Sequence, residues 1–173
     1  MRRVVVFGTT GSGKSWLAER LAARRGLRVV ELDALFWAPD WQAAPLELFR
    51  HRVECETSAE PWIVVGNYAQ VRDLTWRTAD TLVWLDLPLP LVMWRLLRRT
   101  MRRVTSGEEL WGTGNRETFR SAFLSRQSIL LWALKTHHKN RRRFAADTEQ
   151  LGRGKRVIRL TGTREIERFL AAA

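Results

Sequence analysis

The chain has 173 residues, of which 45% are hydrophobic, and its 30 Lys and Arg against 18 Asp and Glu give a formal net charge of +12. This length and hydrophobic content fit one globular domain and exclude an intrinsically disordered chain. The positive charge favours anionic ligands, such as nucleotides, phosphorylated metabolites or nucleic acid. The single cysteine excludes an internal disulfide, and no apolar run reaches the roughly 18 residues of a membrane span. We therefore expect a cytoplasmic protein without a membrane partner.

Short segments rich in Val and Ile alternate with segments of helical periodicity along the chain. The predicted strands cover residues 2–8, 27–33, 62–67, 81–86 and 155–160. The predicted helices cover residues 14–25, 45–59, 90–103, 116–145 and 163–171, the last with Thr163 as its N-cap. Near-continuous apolar runs are typical of parallel strands that are buried on both faces. The pattern predicts an α/β fold: a three-layer αβα arrangement with a five-stranded parallel sheet, in a single domain over residues 1–173.

The segment TSGEELWGTGN at residues 105–115 breaks this alternation. It holds three glycines and little apolar periodicity, and it joins two basic helices. In a compact domain such a segment is often a cover that closes over a site. We predict a short lid over about residues 101–116, with an ordinary surface loop as the alternative.

The first predicted strand is followed by GTTGSGKS, which matches the pattern G-x-x-x-x-G-K-[ST] at every fixed position. Glycines allow a tight turn whose N–H groups bind phosphate oxygens, and the following helix adds the positive end of its dipole. Lys14 is expected to bridge the β- and γ-phosphates, and Ser15 to bind Mg²⁺. This P-loop predicts ATP and Mg²⁺ as cofactors, with GTP as the alternative nucleotide. The predicted binding residues are Gly8, Thr9, Thr10, Gly11, Ser12, Gly13, Lys14 and Ser15.

Five further segments carry a resemblance to a known family. They are LDALFWAPDW (32–41), WIVVGNY (62–68), RTADTLVWLDLP (77–88), RLLRR (95–99) and GNRE (114–117). With the P-loop they resemble the adenylate-kinase-like branch of P-loop proteins. Within that branch they resemble more closely the bacterial DNA-topology-modulation (FlaR-related) subgroup. The resemblance implies the sheet of the P-loop kinases and an activity of the small-molecule kinase type.

The same resemblance implies roles for arginines on the helix after the fourth strand. Arg95 is expected to stack on the adenine base, and Arg99, one helical turn later, to contact the transferring phosphates. Planar, forked guanidinium groups suit both tasks. Arg116, at the far edge of the predicted lid, is expected to neutralise charge during transfer. The alternative is a solvated basic helix face.

Two acidic residues and one amide end predicted strands at the edge where parallel sheets of this kind bind ligands. Asp33 resembles the acidic residue of metabolite kinases that holds the acceptor hydroxyl or orients Mg²⁺, with a helix N-cap or turn role as the alternative. Asp86 more readily initiates a turn. Asn67 stands where nucleotide kinases usually carry an aspartate, so Asp33 or Asp86 is expected to supply that charge, or the chemistry is weak.

The acceptor is expected to bind beside the segment of about residues 33–61. Trp37 lies in this segment, and together with Asp33, Asn67, Tyr68 and Arg72 it completes the predicted substrate site. Arg72 has salt bridging to Asp73 as its alternative. Trp37, Trp41 and Trp111 fall in irregular segments and either stack on a ring or fill the core.

The pattern as a whole predicts a Mg²⁺-dependent phosphotransferase acting on a small nucleotide-like or metabolite acceptor. The alternative is a nucleotide-gated, nucleic-acid-associated regulatory protein with weak ATPase activity. That alternative rests on the net charge and on the cationic run HHKNRRR at residues 137–143.

Overall fold

The structure is a computed structural model, and it describes residues 1–119 and 128–173. Its elements follow one another as β1 (Arg3–Gly8), α1 (Lys14–Arg25), β2 (Arg28–Glu31), α2 (Leu32–Phe36), α3 (Leu46–Thr57), β3 (Trp62–Val65), α4 (Arg72–Thr75), β4 (Thr81–Leu85), α5 (Leu89–Ser106), β5 (Glu109–Leu110), β6 (Asn115–Arg116), α6 (Ile129–Leu151), β7 (Arg156–Leu160) and α7 (Thr163–Ala172). Short 3₁₀ turns at Pro39–Trp41 and Ala69–Val71 complete the described elements.

Five of the strands form one sheet in the order β2-β3-β1-β4-β7, and every neighbouring pair is parallel. All five predicted strands are therefore present, and the predicted α/β fold is confirmed. The central strand β1 lies between β3 and β4 and is buried along almost its whole length. This position explains why its sequence is an uninterrupted apolar run.

Helices cover both faces of the sheet because successive side chains of a strand point in opposite directions. On one face, Val4 and Val6 pack with Leu17 and Leu21 of α1 and Ile166 of α7. On the other face, Val5 and Phe7 pack with Phe49 and Val53 of α3 and with Phe144 of α6. The result is the predicted three-layer arrangement.

The structure differs from the predicted elements around the segment before α6. The helix predicted over 116–145 is wrong at its start, because Arg116 belongs to β6 and α6 begins at Ile129. Residues 120–127 of that prediction lie outside the described residues. The segment 105–115, predicted without regular structure, contains most of an antiparallel β5–β6 hairpin, in which Glu109 lies opposite Arg116. The glycines that break the helical periodicity here are those of the connecting turn, Gly112 and Gly114, both with positive φ.

Two predicted boundaries also shift. The strand predicted over 27–33 ends at Glu31, and Asp33 lies in α2, because the buried Leu32 turns the chain onto the sheet edge against Gly66. Gly162, not Thr163, is the N-cap of α7. Within residues 1–119 and 128–173, the helices lack the combination of length and apolar character that a bilayer span requires.

Candidate active site

The carboxyl ends of β1, β2 and β3 open into one cleft of about 920 Å³. This is the edge at which open α/β sheets bind ligands. The walls come from the P-loop, the ends of β2 and β3, and helices α5 and α6. The lining residues are Gly8, Thr9, Thr10, Lys14, Ser15, Glu31, Asp33, Trp37, Trp41, Gly66, Asn67, Tyr68, Ala69, Gln70, Arg99, Arg103, Trp111, Glu117, Ile129, Trp132, Asn140 and Arg143.

The P-loop begins at the last residue of β1 and ends at the first residue of α1, as the sequence predicts. Gly8 has φ +152°, and a Cβ there would lie 2.6 Å from the carbonyl oxygen of Leu85. Gly11 has φ +76°, and a Cβ there would lie 2.9 Å from the Cβ of Leu96. Neither position accepts a side chain, so these two glycines keep the loop tightly packed on β4 and α5.

The polar groups of this loop fit a polyphosphate. The α1 N-terminus has no side-chain cap and no acidic residue in its first turn, which leaves it open to an anion. The buried hydroxyls of Thr9 and Ser12 have no hydrogen-bond partner among the described residues. Lys14 donates from Nζ to the carbonyl oxygen of Thr9 at 3.0 Å. Burial lowers the pKa of Lys14, and the nearby Asp33 carboxylate raises it in part.

Glu31, at the end of β2, is a site residue that the sequence analysis missed. It lines the cleft, as Ser15 does. Burial raises the pKa of Glu31, and the neighbouring Ser15 side chain lowers it in part. The sequence feature that could have identified Glu31 is its position near the end of a predicted strand, two residues before Asp33. The carboxylate beside Ser15 is thus that of Glu31.

Asp86 lies outside this cleft. Its buried carboxylate accepts hydrogen bonds from Arg141 Nε, whose nearest approach is 2.8 Å, and from Arg159 Nε at 2.9 Å. The guanidinium of Arg159 also lies over the Trp84 ring. Asp86 therefore joins β4 to α6 and β7, and this contradicts the expectation that it could serve the metal.

Asp33 lies in the cleft with one carboxylate oxygen already engaged. The Tyr68 hydroxyl donates to Asp33 Oδ1 at 2.6 Å. Tyr68 is held in turn by ring contacts with Phe36 and Phe49, at centroid distances of 4.7 and 5.3 Å. Burial and the Asp33 charge raise the pKa of Tyr68 strongly, so it stays a donor. Within residues 1–119 and 128–173, Asp33 Oδ2 makes no hydrogen bond, and it is the oxygen open to a ligand.

Asn67 also lines the cleft, but Arg72 does not. Arg72 donates from Nη2 to Asn67 Oδ1 at 3.3 Å, and its Nη1 lies 2.7 Å from Asp147. Arg72 thus forms a salt bridge, as the alternative predicts, but its partner is Asp147 and not Asp73. The predicted partner, Asp73, pairs with Arg50. Arg72 orients Asn67 rather than facing a substrate.

Of the four predicted arginines, Arg72, Arg95, Arg99 and Arg116, the structure brings only Arg99 into the cleft. Arg95 lies against the P-loop, donating to the Ser12 carbonyl at 3.1 Å and to Thr163 Oγ1 at 2.9 Å. Arg116 is exposed on β6. Two arginines not assigned from the sequence, Arg103 and Arg143, line the cleft instead. Arg103 lies one helical turn after Arg99, so the four-residue spacing that relates Arg95 to Arg99 also predicts Arg103 on the same helix face.

Four tryptophans line the cleft: Trp37, Trp41, Trp111 and Trp132. The first three form a chain of edge-to-face contacts, with centroids 5.8 Å apart for Trp37–Trp41 and 6.0 Å apart for Trp41–Trp111. Trp41 and Trp111 both have φ +56°, a backbone conformation that is costly for a bulky residue and is found mostly at functional sites. Trp132, an exposed residue of α6, was not among the predicted site residues.

The β5–β6 hairpin is tied to the segment after α2 by one side chain. The buried Asn115 accepts a hydrogen bond from the Trp41 N–H at 3.0 Å and donates to the Ala38 carbonyl at 2.9 Å. The Trp41–Trp111 ring contact runs beside these two bonds. The predicted lid therefore contacts the predicted acceptor segment directly.

Solved structures with a similar fold include a sugar kinase, a gluconokinase and a shikimate kinase. A sugar kinase from Janibacter sp. HTCC2649 has a TM-score of 0.53 at 19% identity, over 99% of this chain and 93% of that one. A gluconokinase from Sinorhizobium meliloti 1021 has a TM-score of 0.52 at 20% identity, over 98% and 91%. The shikimate kinase from Acinetobacter baumannii, in complex with shikimate, has a TM-score of 0.54 at 14% identity, over 99% and 90%. The chain has a P-loop kinase-like fold. No protein-family model and no curated protein matches its sequence.

In this kinase-like fold the cationic run at residues 137–143 divides into three kinds of position. His137 is buried, with its Nε2 3.0 Å from the Leu87 carbonyl oxygen. Arg141 binds Asp86 and Arg143 lines the cleft. Lys139 and Arg142 remain exposed, on the same side of α6 as Lys135.

Proposed function

We propose that the protein is an ATP- and Mg²⁺-dependent phosphotransferase that acts on a small-molecule acceptor. The observation that carries this proposal is the meeting, in one cleft, of a phosphate-binding loop and the carboxylate of Asp33. A loop of this kind holds the phosphoryl donor, and a carboxylate opposite it holds the group to be phosphorylated. The kinase-like fold supports this reading by analogy.

The P-loop residues Gly8 to Ser15 would hold the phosphates and Mg²⁺. When bound, MgATP supplies the phosphoryl group and part of the charge neutralisation. Lys14 is placed beside Thr9 to contact phosphate oxygens, and Ser15 presents its hydroxyl beside Glu31. Glu31 would then accept hydrogen bonds from water around the metal, which is the acidic function that Asn67 cannot provide.

We propose that Arg95 forms one wall of the site for the nucleotide base, because it packs on the outer side of the P-loop against Thr163. Its two hydrogen bonds fix the guanidinium plane there, which suits stacking. The charge-neutralising role is proposed for Arg99, with Arg103 in the place first assigned to Arg116. Arg116 could reach the cleft only through movement of the β5–β6 hairpin.

On the acceptor side, Asp33 is proposed to orient the attacking hydroxyl. Because Tyr68 occupies Oδ1, the acceptor hydroxyl would donate to Oδ2, which then takes up its proton as transfer proceeds. Asn67 and Trp37 would bound the same acceptor. Closure of the lid over about residues 101–116 would exclude water, and the Asn115 contacts would hold it against the acceptor segment.

The test is ADP release, measured by a coupled assay with Mg²⁺, against a panel of acceptors. The panel contains gluconate, shikimate, nucleosides, nucleoside monophosphates and duplex DNA. We expect strong stimulation by one small acceptor and loss of that stimulation in Asp33→Asn. The exposed charge change Glu167→Gln on α7 is the control and should have no effect. Tight ATP binding without stimulation by any member would contradict a small-molecule kinase of these classes.

The narrower resemblance to the DNA-topology-modulation subgroup supports a second hypothesis, nucleic-acid association with weak ATPase activity. The observation in its favour is the exposed basic stripe of Lys135, Lys139 and Arg142 on α6. DNA binding that falls steeply with salt, and falls further when these three become Gln, would support it. Arg141 and Arg143 are left unchanged in this test, because the first binds Asp86 and the second lines the cleft.

A further inference from the structure

We infer that Arg99 and Arg103 form a second anion-binding subsite, separate from the P-loop, which Glu117 occupies until an anionic group of the acceptor displaces it. The inference rests on the proposed function and deepens it, because it gives the acceptor a negative charge. The chemical class is a compound that carries a phosphate or carboxylate group in addition to the hydroxyl that is phosphorylated.

The contacts of Glu117 place its carboxylate on both arginines. Glu117 Oε1 accepts a hydrogen bond from Arg103 Nη1 at 3.1 Å and lies 4.0 Å from Arg99 Nη2. Arg103 also lies 3.9 Å from Glu108. All three side chains that form the subsite line the cleft, whereas Glu108 does not. A carboxylate from the end of the hairpin thus sits where two guanidinium groups converge.

Among residues 1–119 and 128–173, the hydrogen bonds of this group are incomplete. Arg99 Nε, Arg103 Nε and Glu117 Oε2 are buried, and none has a hydrogen-bond partner among the described residues. Leaving a buried polar atom unpaired costs about 1–3 kcal/mol, more when the group is charged. A single carboxylate with one good bond is therefore a poor partner for two guanidinium groups. A phosphate or carboxylate that bound both arginines in a forked geometry would satisfy more of these donors.

The position of the subsite connects it to the reacting groups. Burial and the charge of Arg103 lower the pKa of Arg99, and the carboxylates of Glu117 and Asp33 raise it in part. The charge of Arg99 in turn helps to lower the pKa of Lys14. Arg143 and Asn140 of α6 line the cleft as further donors. Asp33, Arg99 and Arg103 line the same cleft, so an acceptor whose hydroxyl binds Asp33 shares that cleft with the two arginines that would hold its anionic group.

Glu117 also follows the hairpin residue that holds the acceptor segment. Asn115, two positions earlier, bonds to Trp41 and Ala38. Release of Glu117 by a bound anion would free the chain just after β6, while Asn115, the first residue of β6, keeps the hairpin attached to Trp41 and Ala38. Anion binding and the arrangement of the lid are thus coupled through two contacts that lie two positions apart.

The test is isothermal titration of inorganic phosphate into protein whose P-loop is filled with a non-hydrolysable ATP analogue and Mg²⁺. Removal of the internal competitor in Glu117→Gln should tighten phosphate binding at least about fivefold, a usual size for coupling between two ligands. Glu117→Asp keeps the charge and should tighten it less. Glu167→Gln, which changes the same charge on exposed α7, should leave it unchanged, and Arg103→Gln should abolish it.

Unchanged or weaker phosphate binding in Glu117→Gln would overturn the inference, because Glu117 would then only support the arginines. Tighter binding of the ATP analogue in Glu117→Gln, with no phosphate binding beside it, would also overturn it and assign the subsite to the nucleotide. Thermal unfolding of each variant identifies loss of fold, and Glu117→Asp then carries the test. If the unchanged protein did not bind ATP, the proposed function would be contradicted. That result alone would not decide whether phosphate binds Arg103.

Discussion

Tyr68 donates its hydroxyl hydrogen to Asp33 Oδ1 at 2.6 Å, and this bond joins the end of β3 to the start of the acceptor segment. The ring of Tyr68 is fixed by Phe36 and Phe49, so the bond also fixes the rotamer of the Asp33 carboxylate. A carboxylate that is held in place at one oxygen can present the other to a ligand without paying the full cost of ordering. Tyr68 is therefore a positioning residue for Asp33.

Tyr68→Phe should weaken acceptor use while leaving ATP binding unchanged. The ring and its packing are kept, and only a hydrogen bond to a charged group is lost, which corresponds to about a tenfold to hundredfold loss in kcat/KM for the acceptor. Steady-state kinetics with acceptor and with ATP varied separately would measure both values. An equal loss in ATP affinity would contradict a role confined to Asp33.

Glu31→Gln should make the fold more stable at high pH and, under the proposed function, slow phosphoryl transfer. Burial raises the pKa of Glu31 in the folded protein above its ordinary value of 4.5. The favourable contribution of the protonated form is thus present below that ordinary value and is lost as the pH rises through the folded pKa. At about pH 8 the melting temperature of Glu31→Gln should be higher than that of the unchanged protein, and this difference in melting temperature should shrink towards about pH 4.5. A variant that is less stable at the higher pH would contradict this account.

Asn115→Ala should detach the hairpin from the acceptor segment. The buried side chain makes one bond to each of Trp41 and Ala38, and its loss leaves two backbone groups unpaired. Hydrogen exchange of the Trp41 amide should speed up by about tenfold or more, since such a group costs about 1–3 kcal/mol. Thr105→Ala is the control, because its hydroxyl bonds to the carbonyl oxygens of Met101 and Arg102 within α5 and not to the acceptor segment. Equal exchange in both variants would show that the hairpin is held elsewhere.

Asp86→Asn should destabilise the fold by about 3 kcal/mol, because it removes the partner of two arginines at a buried position. Asp73→Asn removes an ion pair with Arg50 at an exposed position and should cost less than about 1 kcal/mol. Urea unfolding of the two variants compares the same chemical change in two settings. Similar losses would mean that Asp86 does not hold α6 and β7 onto β4.

The sequence predicts those parts of the molecule whose structure depends on neighbouring residues. The P-loop is such a part, because its glycines, Lys14 and Ser15 act within one turn between β1 and α1. The inner strands β3, β1 and β4 are predicted because burial on both faces leaves an apolar run. The edge strands β2 and β7 are only partly buried, and their short runs of Val and Ile predict them. Asp33 and Tyr68 are predicted for the acceptor side, although their bond across 35 positions is not.

The remaining site residues depend on how distant elements pack. The rotation of α5 brings Arg99 and Arg103 into the cleft and turns Arg95 to the P-loop, and the sequence spacing allows either pair. Arg72 follows Asn67 closely, but its charge is bound by Asp147 of α6. Each strand of the hairpin has only two residues, too few for a hydrophobic periodicity to identify. The sequence therefore predicts a helix start at Arg116, where the structure has a strand. Glu117 acquires its role only from that hairpin.

The most direct test of the account is calorimetric titration of ATP with Mg²⁺ into the unchanged protein and into Lys14→Ala. Loss of a charged phosphate contact should weaken ATP binding by about tenfold to a hundredfold. Lys139→Ala, an exposed position on α6, should bind like the unchanged protein. Equal ATP affinity in all three proteins would contradict phosphate binding at this loop and, with it, the proposed phosphotransferase.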